Sequence, residues 1–206
     1  EGIDEAITAG LTPIKVNAVV KRGVNDHTVV DLVEHFRGTG VIVRFIEYMD
    51  VGTINHWQAS DTVPSRELLA MLAARWPLTA VRPNYHGEVA ERYRFDDGAG
   101  EVGFISSVSE PFCGSCTRGR LSSDGQLYTC LFATRCTDLK GPLRAGLDDD
   151  QLRALITGVW TRRDGPGCHV TFPARQFTVH GERRSFALLR AVHDPSALGQ
   201  IRERVI

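Results

Sequence analysis

The order of strand-like and helix-like segments in the first fifty residues constrains the fold of this chain more than any other feature. Apolar residues alternate with polar ones over residues 14–20, recur at helical spacing over residues 29–36, and dominate residues 41–49. A strand, a helix and a strand in this order predict parallel strands with helices packed outside them. The sequence therefore predicts an α/β fold, and Gly38 and Gly40 mark the end of the helix between the strands.

Both predicted strands carry polar residues among the apolar ones. These are Lys15 and Asn17 in the first strand, and Arg44 and Glu47 in the second. Strands of an open parallel sheet are buried on both faces and are more uniformly apolar than this. Polar residues that point inward are better explained by the lumen of a (β/α) barrel that serves as an active site.

The character of the chain changes near residue 80, where strand–helix units give way to short strands joined by turns. Strands are predicted over residues 92–95, 101–106, 118–122 and 126–132. Asp124-Gly125 is a typical hairpin turn between the last two. A helix capped by Ser65 precedes this change, and a helix that begins at the acidic residues 148–150 follows it. We therefore place a boundary near residues 77–85.

Composition limits the classes of function. Hydrophobic residues make up 42% of the 206 residues, so the chain can bury a core, and its formal net charge is -1. Without an excess of basic residues we do not expect nucleic acid as a partner. No stretch approaches the roughly 18 apolar residues of a membrane span, and no secretory signal is visible, so we expect a cytoplasmic location without a membrane partner. The chain opens at Glu1 rather than at a methionine, which we interpret as the middle of a longer protein.

The spacing of three of the five cysteines is the sharpest local signal. Cys113 and Cys116 form a Cys-x-x-Cys pair, and Cys130 follows after thirteen intervening residues, on the far arm of the predicted hairpin. Clustered thiols in a cytosolic protein indicate metal ligands, although a redox pair or incidental cysteines also fit. Structural zinc takes four ligands, and Cys136 is available as a fourth. Three cysteines alone suit an iron–sulfur cubane, and spacing does not decide between these metals.

Two arginines follow the cysteine pair at once. Arg118 and Arg120 alternate in an extended segment, so both side chains point to the same side. Planar guanidinium groups match phosphate oxygens well, although an Arg-x-Arg segment is also typical of a solvated strand face. Lys15 and Arg44 add positive charge from the predicted barrel strands. The adjacent pair Cys168-His169 receives no role.

Four segments in order resemble the GTP 3',8-cyclase family, the radical S-adenosylmethionine (SAM) enzymes that open molybdenum cofactor biosynthesis (molybdenum cofactor biosynthesis protein A). They are residues 11–20, 23–26 and 44–52, and the Cys-x-x-Cys-x-Arg-x-Arg segment with the later Cys-Leu-Phe at residues 130–132. The resemblance runs from residue 1 to about residue 163. It implies an α/β fold in which the C-terminal part of an incomplete (β/α) TIM-like barrel is followed by a cluster-binding α+β C-terminal region.

The resemblance also implies roles for individual residues. A C-terminal [4Fe–4S] cluster with one open iron would be held by Cys113, Cys116 and Cys130. Residues implied to bind GTP are Lys15, Arg44, Arg118 and Arg120, and the residue implied to contact SAM is Met49. The reaction implied is the conversion of GTP to (8S)-3',8-cyclo-7,8-dihydroguanosine 5'-triphosphate with SAM.

Three departures from the family pattern shape the remaining expectations. The chain lacks the Cys-x-x-x-Cys-x-x-Cys motif of the radical-generating cluster, it lacks a Gly-Gly tail, and Cys136 stands where the family pattern has glycine. We expect the chain alone to be inactive, and the sequence leaves open whether a further chain supplies the N-terminal half and whether the chain forms a homodimer. The alternative is a non-catalytic remnant that binds zinc or a cluster and nucleotide.

The expected organisation has three parts. Residues 1–80 form the barrel portion, residues 81–163 form the cluster- and GTP-binding region, and residues 164–206 form a divergent tail that is compatible with a foreign or shifted reading frame.

Overall fold

The computed structural model of the chain describes residues 1–50, 56–131, 133, 135–162 and 186–189, the last four as backbone. The chain divides into two compact units, Glu1–Ser115 and Cys116–Ile206. Cys168-His169 lies outside the described residues, as does most of the predicted tail 164–206. In the part of the chain that is described, no helix has the length and apolar character needed to cross a membrane.

In the first unit, the described residues form three α-helices and a five-stranded sheet. The helices are α1 (Gly2–Thr8), α2 (Val29–Phe36) and α3 (Ser65–Ala73). The strands are β1 (Lys15–Val20), β2 (Ile42–Glu47), β3 (Leu78–Val81), β4 (Glu91–Phe95) and β5 (Glu101–Ile105). Their order in the sheet is β1-β2-β5-β4-β3. The strands β1, β2 and β5 are parallel, whereas β4 and β3 join antiparallel.

Helices α2 and α3 pack on one face of this sheet and form the core with it. Residues alternate between the faces of a strand, so Val43 and Phe45 of β2 point to the helices while Arg44 points to the other face. The buried core residues are Val20, Val29, Val33, Val43, Phe45, Val63, Leu68, Leu72, Phe95, Val102 and Phe104. The opposite face of β1 carries Lys15 and Asn17.

The predicted α/β class is confirmed, and the strands and helices of the first fifty residues lie within a residue or two of where the patterns place them. The described strands of the first unit form an open mixed sheet, and the described residues show no barrel, so the predicted part of an incomplete barrel is not seen among them. The predicted boundary at residues 80–81 falls at the end of β3, which belongs to the same sheet as β1 and β2. The change of character near residue 80 therefore corresponds to the change from parallel to antiparallel strands.

The start of α3 differs from the sequence prediction. Ser65 is the first residue of the helix and Pro64 occupies the capping position, with no capping hydrogen bond from its side chain. The Ser65 N–H instead donates to the carboxylate of Glu47, at 2.8 Å from Oε1. A carboxylate brought from another strand replaces the local cap, which no local pattern signals.

In the second unit, the residues that the structure describes form a small antiparallel sheet and two α-helices. Its strands are β6 (Gly119–Ser122), β7 (Gln126–Tyr128), β8 (Thr137–Asp138) and β9 (Phe186–Leu189), in the order β8-β7-β6-β9. The helices are α4 (Lys140–Arg144) and α5 (Asp149–Thr161). Leu121, Leu127, Leu139, Leu152 and Ile156 form its core.

Two local predictions for this unit are confirmed. Gly125 has a φ of 82° in the turn between β6 and β7, a conformation that glycine adopts at little cost. Asp148 caps α5, because its side chain accepts from the Gln151 N–H and the Gln151 side chain accepts from the Asp148 N–H. The hairpin β6–β7 packs against α5 through the shared core, and Arg120 is positioned by its place in β6.

Candidate functional site

Lys15 and Arg44, both predicted to bind GTP, lie on the same face of the first unit's sheet. Arg44 is beside Asn17 in the parallel register, and Lys15 lies two residues before Asn17. Lys15 is exposed, whereas the side chain of Arg44 is only 14% exposed. This face is opposite to the helix-packed core.

Room for the Arg44 side chain comes from a glycine in the next strand. Gly103 of β5 has Arg44 beside it on one side and Arg92 of β4 on the other. A Cβ atom at this position would lie 3.2 Å from Cγ of Arg44. Gly103 therefore allows the Arg44 side chain to lie close against the backbone of β5.

Arg44 forms an ion pair with a buried glutamate, Glu88, that sequence reasoning missed. Oε1 of Glu88 lies 3.6 Å from Nη2 of Arg44, and the Glu88 side chain is 1% exposed. Within the described residues, neither Glu88 Oε1 nor Arg44 Nε has a hydrogen-bond partner. The other oxygen of Glu88 accepts from the Asn84 N–H at 2.6 Å. The pair is thus an ion pair without a direct hydrogen bond, and it places a negative charge beside a predicted phosphate ligand.

Arg92 ties the loop that carries Glu88 to the sheet. Its Nη1 donates to the Arg82 carbonyl at 2.9 Å and to Oδ1 of Asn84 at 2.8 Å. Its Nε and Nη2 both donate to Oε2 of Glu101, the latter at 2.6 Å. Burial alone would raise the pKa of Glu101, but hydrogen bonds from Arg92 and Arg94 lower it below the ordinary value. This network holds Asn84 and Glu88 over the same face as Arg44.

Met49, the predicted SAM contact, is half-buried and follows the end of β2 by two residues. The preceding carbonyl, that of Tyr48, accepts hydrogen bonds from Nε1 of Trp57 at 2.9 Å and from Oγ1 of Thr62 at 2.7 Å. The backbone just before Met49 is therefore held in place by two side chains from the following loop.

Glu47, the last residue of β2, was expected to point inward in a barrel lumen, but it lies on the helix-packed face of the sheet with Val43 and Phe45. It is 1% exposed and accepts four hydrogen bonds. Its alternation with Arg44 along β2 places the two side chains on opposite faces. Arg44 therefore shares a face with Lys15, whereas Glu47 is a core carboxylate.

The predicted cluster ligands are divided between the two units. Cys113 is half-buried and begins a short 3-10 helix, Cys113–Ser115, at the end of the first unit. Cys116 and Cys130 are half-buried in the second unit, the latter two residues after β7. Cys136 is exposed, and its thiol donates to Oε1 of Gln126 at 3.4 Å.

The two predicted phosphate-binding arginines differ in environment. Arg118 is half-buried, and its Nη2 donates to Sγ of Cys116 at 3.3 Å. Arg120 lies within β6 and is 8% exposed, opposite Tyr128 of β7. The second unit thus combines cationic side chains with a candidate metal-ligating sulfur.

The structure brings some predicted site residues together and leaves others apart. It unites Lys15 with Arg44 on one face and Arg118 with Cys116 in a hydrogen bond. Among the residues described, no three His, Cys, Asp or Glu side chains lie close enough to hold a metal ion. The convergence of the three cysteines therefore stays a prediction.

Comparison with known families decides the affiliation of the chain. The sequence profile of Molybdenum Cofactor Synthesis C matches residues 41–166, more than half of the chain. The chain belongs to this family. The matched range of the Molybdenum Cofactor Synthesis C family includes Arg44, Met49 and the whole segment from Cys113 to Cys130.

Curated relatives agree with this affiliation. A GTP 3',8-cyclase of Acidothermus cellulolyticus is 50% identical over 166 residues, which are 79% of this chain and 46% of that protein. A GTP 3',8-cyclase of Xanthomonas axonopodis pv. citri is 58% identical over 145 residues (70% and 43%), and one of Staphylococcus carnosus is 44% identical over 165 residues (80% and 48%). The chain spans about half the length of the curated relatives it matches, and it is homologous to their C-terminal portion.

Proposed function

We propose that this chain forms the GTP-binding and cluster-binding part of a GTP 3',8-cyclase. The complete enzyme would convert GTP to (8S)-3',8-cyclo-7,8-dihydroguanosine 5'-triphosphate with SAM, the first step of molybdenum cofactor biosynthesis. Membership of the Molybdenum Cofactor Synthesis C family and identity of 44–58% to GTP 3',8-cyclases support this proposal. The observation that carries it is the hydrogen bond from Arg118 to Cys116, because it joins a phosphate-binding side chain to a candidate cluster ligand.

The first unit would belong to a partial (β/α) barrel. Its parallel strands β1, β2 and β5, with α2 between β1 and β2, have the connectivity of (β/α) units. Lys15 and Arg44 lie on the face opposite the helices, which is the lumen side of such a barrel. We propose that both bind GTP, and that Met49, after the carboxyl end of β2, contacts SAM.

The donor chemistry fits a [4Fe–4S] cluster held by Cys113, Cys116 and Cys130. All three cysteines are half-buried, and Nη2 of Arg118 donates a hydrogen bond to Sγ of Cys116, a contact of the kind that tunes cluster sulfurs. Cys136 is exposed and bound to Gln126, which makes it a poor fourth ligand. When bound, such a cluster would offer one iron without a cysteine ligand to the base of the nucleotide.

The charges of Arg118 and Arg120 suit a triphosphate. A guanidinium group presents paired N–H donors that match two phosphate oxygens, so each arginine holds phosphate in a defined orientation. Arg120 is buried in β6, where the effective dielectric constant is lower than in water. The attraction between its guanidinium group and a bound anion is therefore stronger than at an exposed position. We propose that both arginines bind the phosphates of GTP and orient the nucleotide.

Anaerobic nucleotide binding tests this proposal. After reconstitution with iron and sulfide, the chain should bind GTP more tightly than ATP, and the Arg118→Ala, Arg120→Ala double variant should lose at least about tenfold in affinity, since two charge-assisted contacts are removed. The matched control is Arg144→Ala, Arg153→Ala, which removes two exposed positive charges from the same unit. Equal losses of GTP affinity in the two double variants would show that only the net charge of the unit matters, and would contradict the assignment of Arg118 and Arg120 as phosphate ligands. Stoichiometric zinc without iron uptake would favour a non-catalytic remnant.

A further inference from the structure

Glu47 is a buried carboxylate to which the proposed mechanism gives no role. It is 1% exposed at the end of β2 and accepts four hydrogen bonds. Oε1 accepts from the Ser65 N–H at 2.8 Å and from the Ser109 hydroxyl at 2.5 Å. Oε2 accepts from the N–H groups of Val108 and Ser109, at 2.8 Å and 2.7 Å. Both oxygens are thus engaged twice, which leaves no lone pair of the carboxylate unsatisfied.

The donors come from two segments that are far from Glu47 in sequence. Ser65 opens α3, and its N–H is among the first amides of that helix, which have no partner within the helix itself. Val108 and Ser109 lie in the connection between β5 and Cys113, and Ser109 precedes Cys113 by four residues. Three of the four hydrogen bonds go to this connection. Glu47 therefore joins the end of β2 to the backbone that delivers Cys113.

The charged form of the Glu47 carboxylate is stabilised by the hydrogen bonds that it accepts. Burial would raise its pKa, but hydrogen bonds from Ser109, Ser65 and Val108 outweigh burial and lower the pKa below the ordinary value. Burial, followed by the like charges of Glu110 and Glu47, raises the pKa of the neighbouring Glu91 above its ordinary value. A charged carboxylate that accepts from three backbone N–H groups is a stronger anchor than a neutral side chain, because charge-assisted hydrogen bonds are about twice as strong.

We propose that Glu47 is a positioning residue for Cys113. Its carboxylate fixes the Val108–Ser109 backbone and thereby limits the positions that Cys113 adopts when it ligates the proposed cluster. Met49 lies two residues beyond Glu47, so one end of β2 carries both the proposed SAM contact and the anchor of the cysteine segment. The role of Cys113 as a cluster ligand rests on the proposed function, whereas the hydrogen bonds of Glu47 lie within the first unit and do not depend on it.

The test is the rate at which each thiol of the cluster-free protein is alkylated, followed by peptide mass spectrometry. In Glu47→Gln one amide oxygen replaces two carboxylate oxygens, so part of the connection loses its acceptor. We expect Cys113 to react at least about fivefold faster, the lower end of the effect of one lost buried hydrogen bond, and Cys136 to react at its wild-type rate. Hydrogen exchange at the amides of Val108 and Ser109 should accelerate in parallel.

Two further variants separate positioning from general destabilisation. Glu101→Gln removes another hydrogen-bonded carboxylate of the same sheet and should leave Cys113 reactivity unchanged. Ser109→Ala removes only the hydroxyl donor and should give a smaller acceleration, which keeps the test open if Glu47→Gln does not fold. Wild-type Cys113 rates in Glu47→Gln or Ser109→Ala, or equal acceleration in Glu101→Gln, would overturn the proposal. Failure of the wild-type chain to take up iron would refute the proposed function and leave this result intact.

Discussion

Replacement of Glu88 by glutamine tests whether Arg44 is a phosphate ligand. Glu88 is the charged partner of Arg44 in the first unit, with 3.6 Å between Oε1 and Nη2 and a side chain that is 1% exposed. A bound triphosphate would have to share Arg44 with this carboxylate and would be repelled by it. In Glu88→Gln the shape of the side chain is preserved, and its amide oxygen still accepts from the Asn84 N–H. The variant therefore removes charge while it keeps the loop contact.

The magnitude follows from the separation of the charges. At 3.6 Å and an effective dielectric constant of ~20, the attraction between Arg44 and Glu88 is about 4–5 kcal/mol before desolvation and salt are counted. A phosphate on the far side of Arg44 would lie about twice as far from Glu88, so its repulsion is about 2 kcal/mol per charge and roughly 1.4 kcal/mol after screening. We expect Glu88→Gln to bind GTP about tenfold more tightly than the wild-type chain.

Isothermal titration calorimetry at two salt concentrations measures this effect. The gain in affinity should shrink as salt rises, because part of the repulsion is screened. The coupling between the two residues is measured by comparing the Arg44→Ala variant with the Arg44→Ala, Glu88→Gln double variant. Without Arg44 the phosphate is no longer held near Glu88, so Glu88→Gln should increase the affinity for GTP much less in this background. The reasoning fails if Glu88→Gln binds GTP no better than wild type, or if the gain persists in the double variant. Either result would assign Arg44 to the structural network of the sheet and not to the nucleotide.

Three further predictions concern stability and metal content. Leu139→Ala should lower the free energy of unfolding of the second unit by about 2–5 kcal/mol in chemical denaturation, because Leu139 is fully buried, whereas exposed Leu131→Ala should cost less than ~0.5 kcal/mol. Glu101→Gln should lower the free energy of unfolding by about 1–3 kcal/mol at pH 7. This difference from wild type should vanish on acidification, because the pKa of Glu101 is lowered in the folded state. The stabilisation by Glu101 is therefore complete above the unfolded pKa of about 4.3 and is lost as the pH falls through the folded pKa. A pH-independent difference would contradict this. Cys136→Ala should retain the reconstituted iron that Cys130→Ala loses, and equal losses by both would make Cys136 a ligand.

Local patterns determined most of the elements. The alternation over β1 and the helical spacing over α2 predict those elements because each reflects which face of the segment is buried. The turn at Gly125 and the cap at Asp148 were predictable because both depend on residues within three positions of one another. The linked motifs also predicted the family, which the comparisons confirmed.

Only the tertiary structure decided which charged groups meet. Glu47 accepts from Ser65 and Ser109, which lie 18 and 62 residues away, and Glu88 reaches Arg44 across 44 residues, so no local window contains either contact. Polar residues in β2 predicted a barrel lumen, yet the strand's alternation sends Arg44 to one face and Glu47 into the core on the other. Hydrogen-bond donors offset the cost of burying a carboxylate, and all four donors to Glu47 come from segments that are distant in sequence. That convergence is a property of the packed sheet and its loops, and the sequence shows it only as an isolated glutamate.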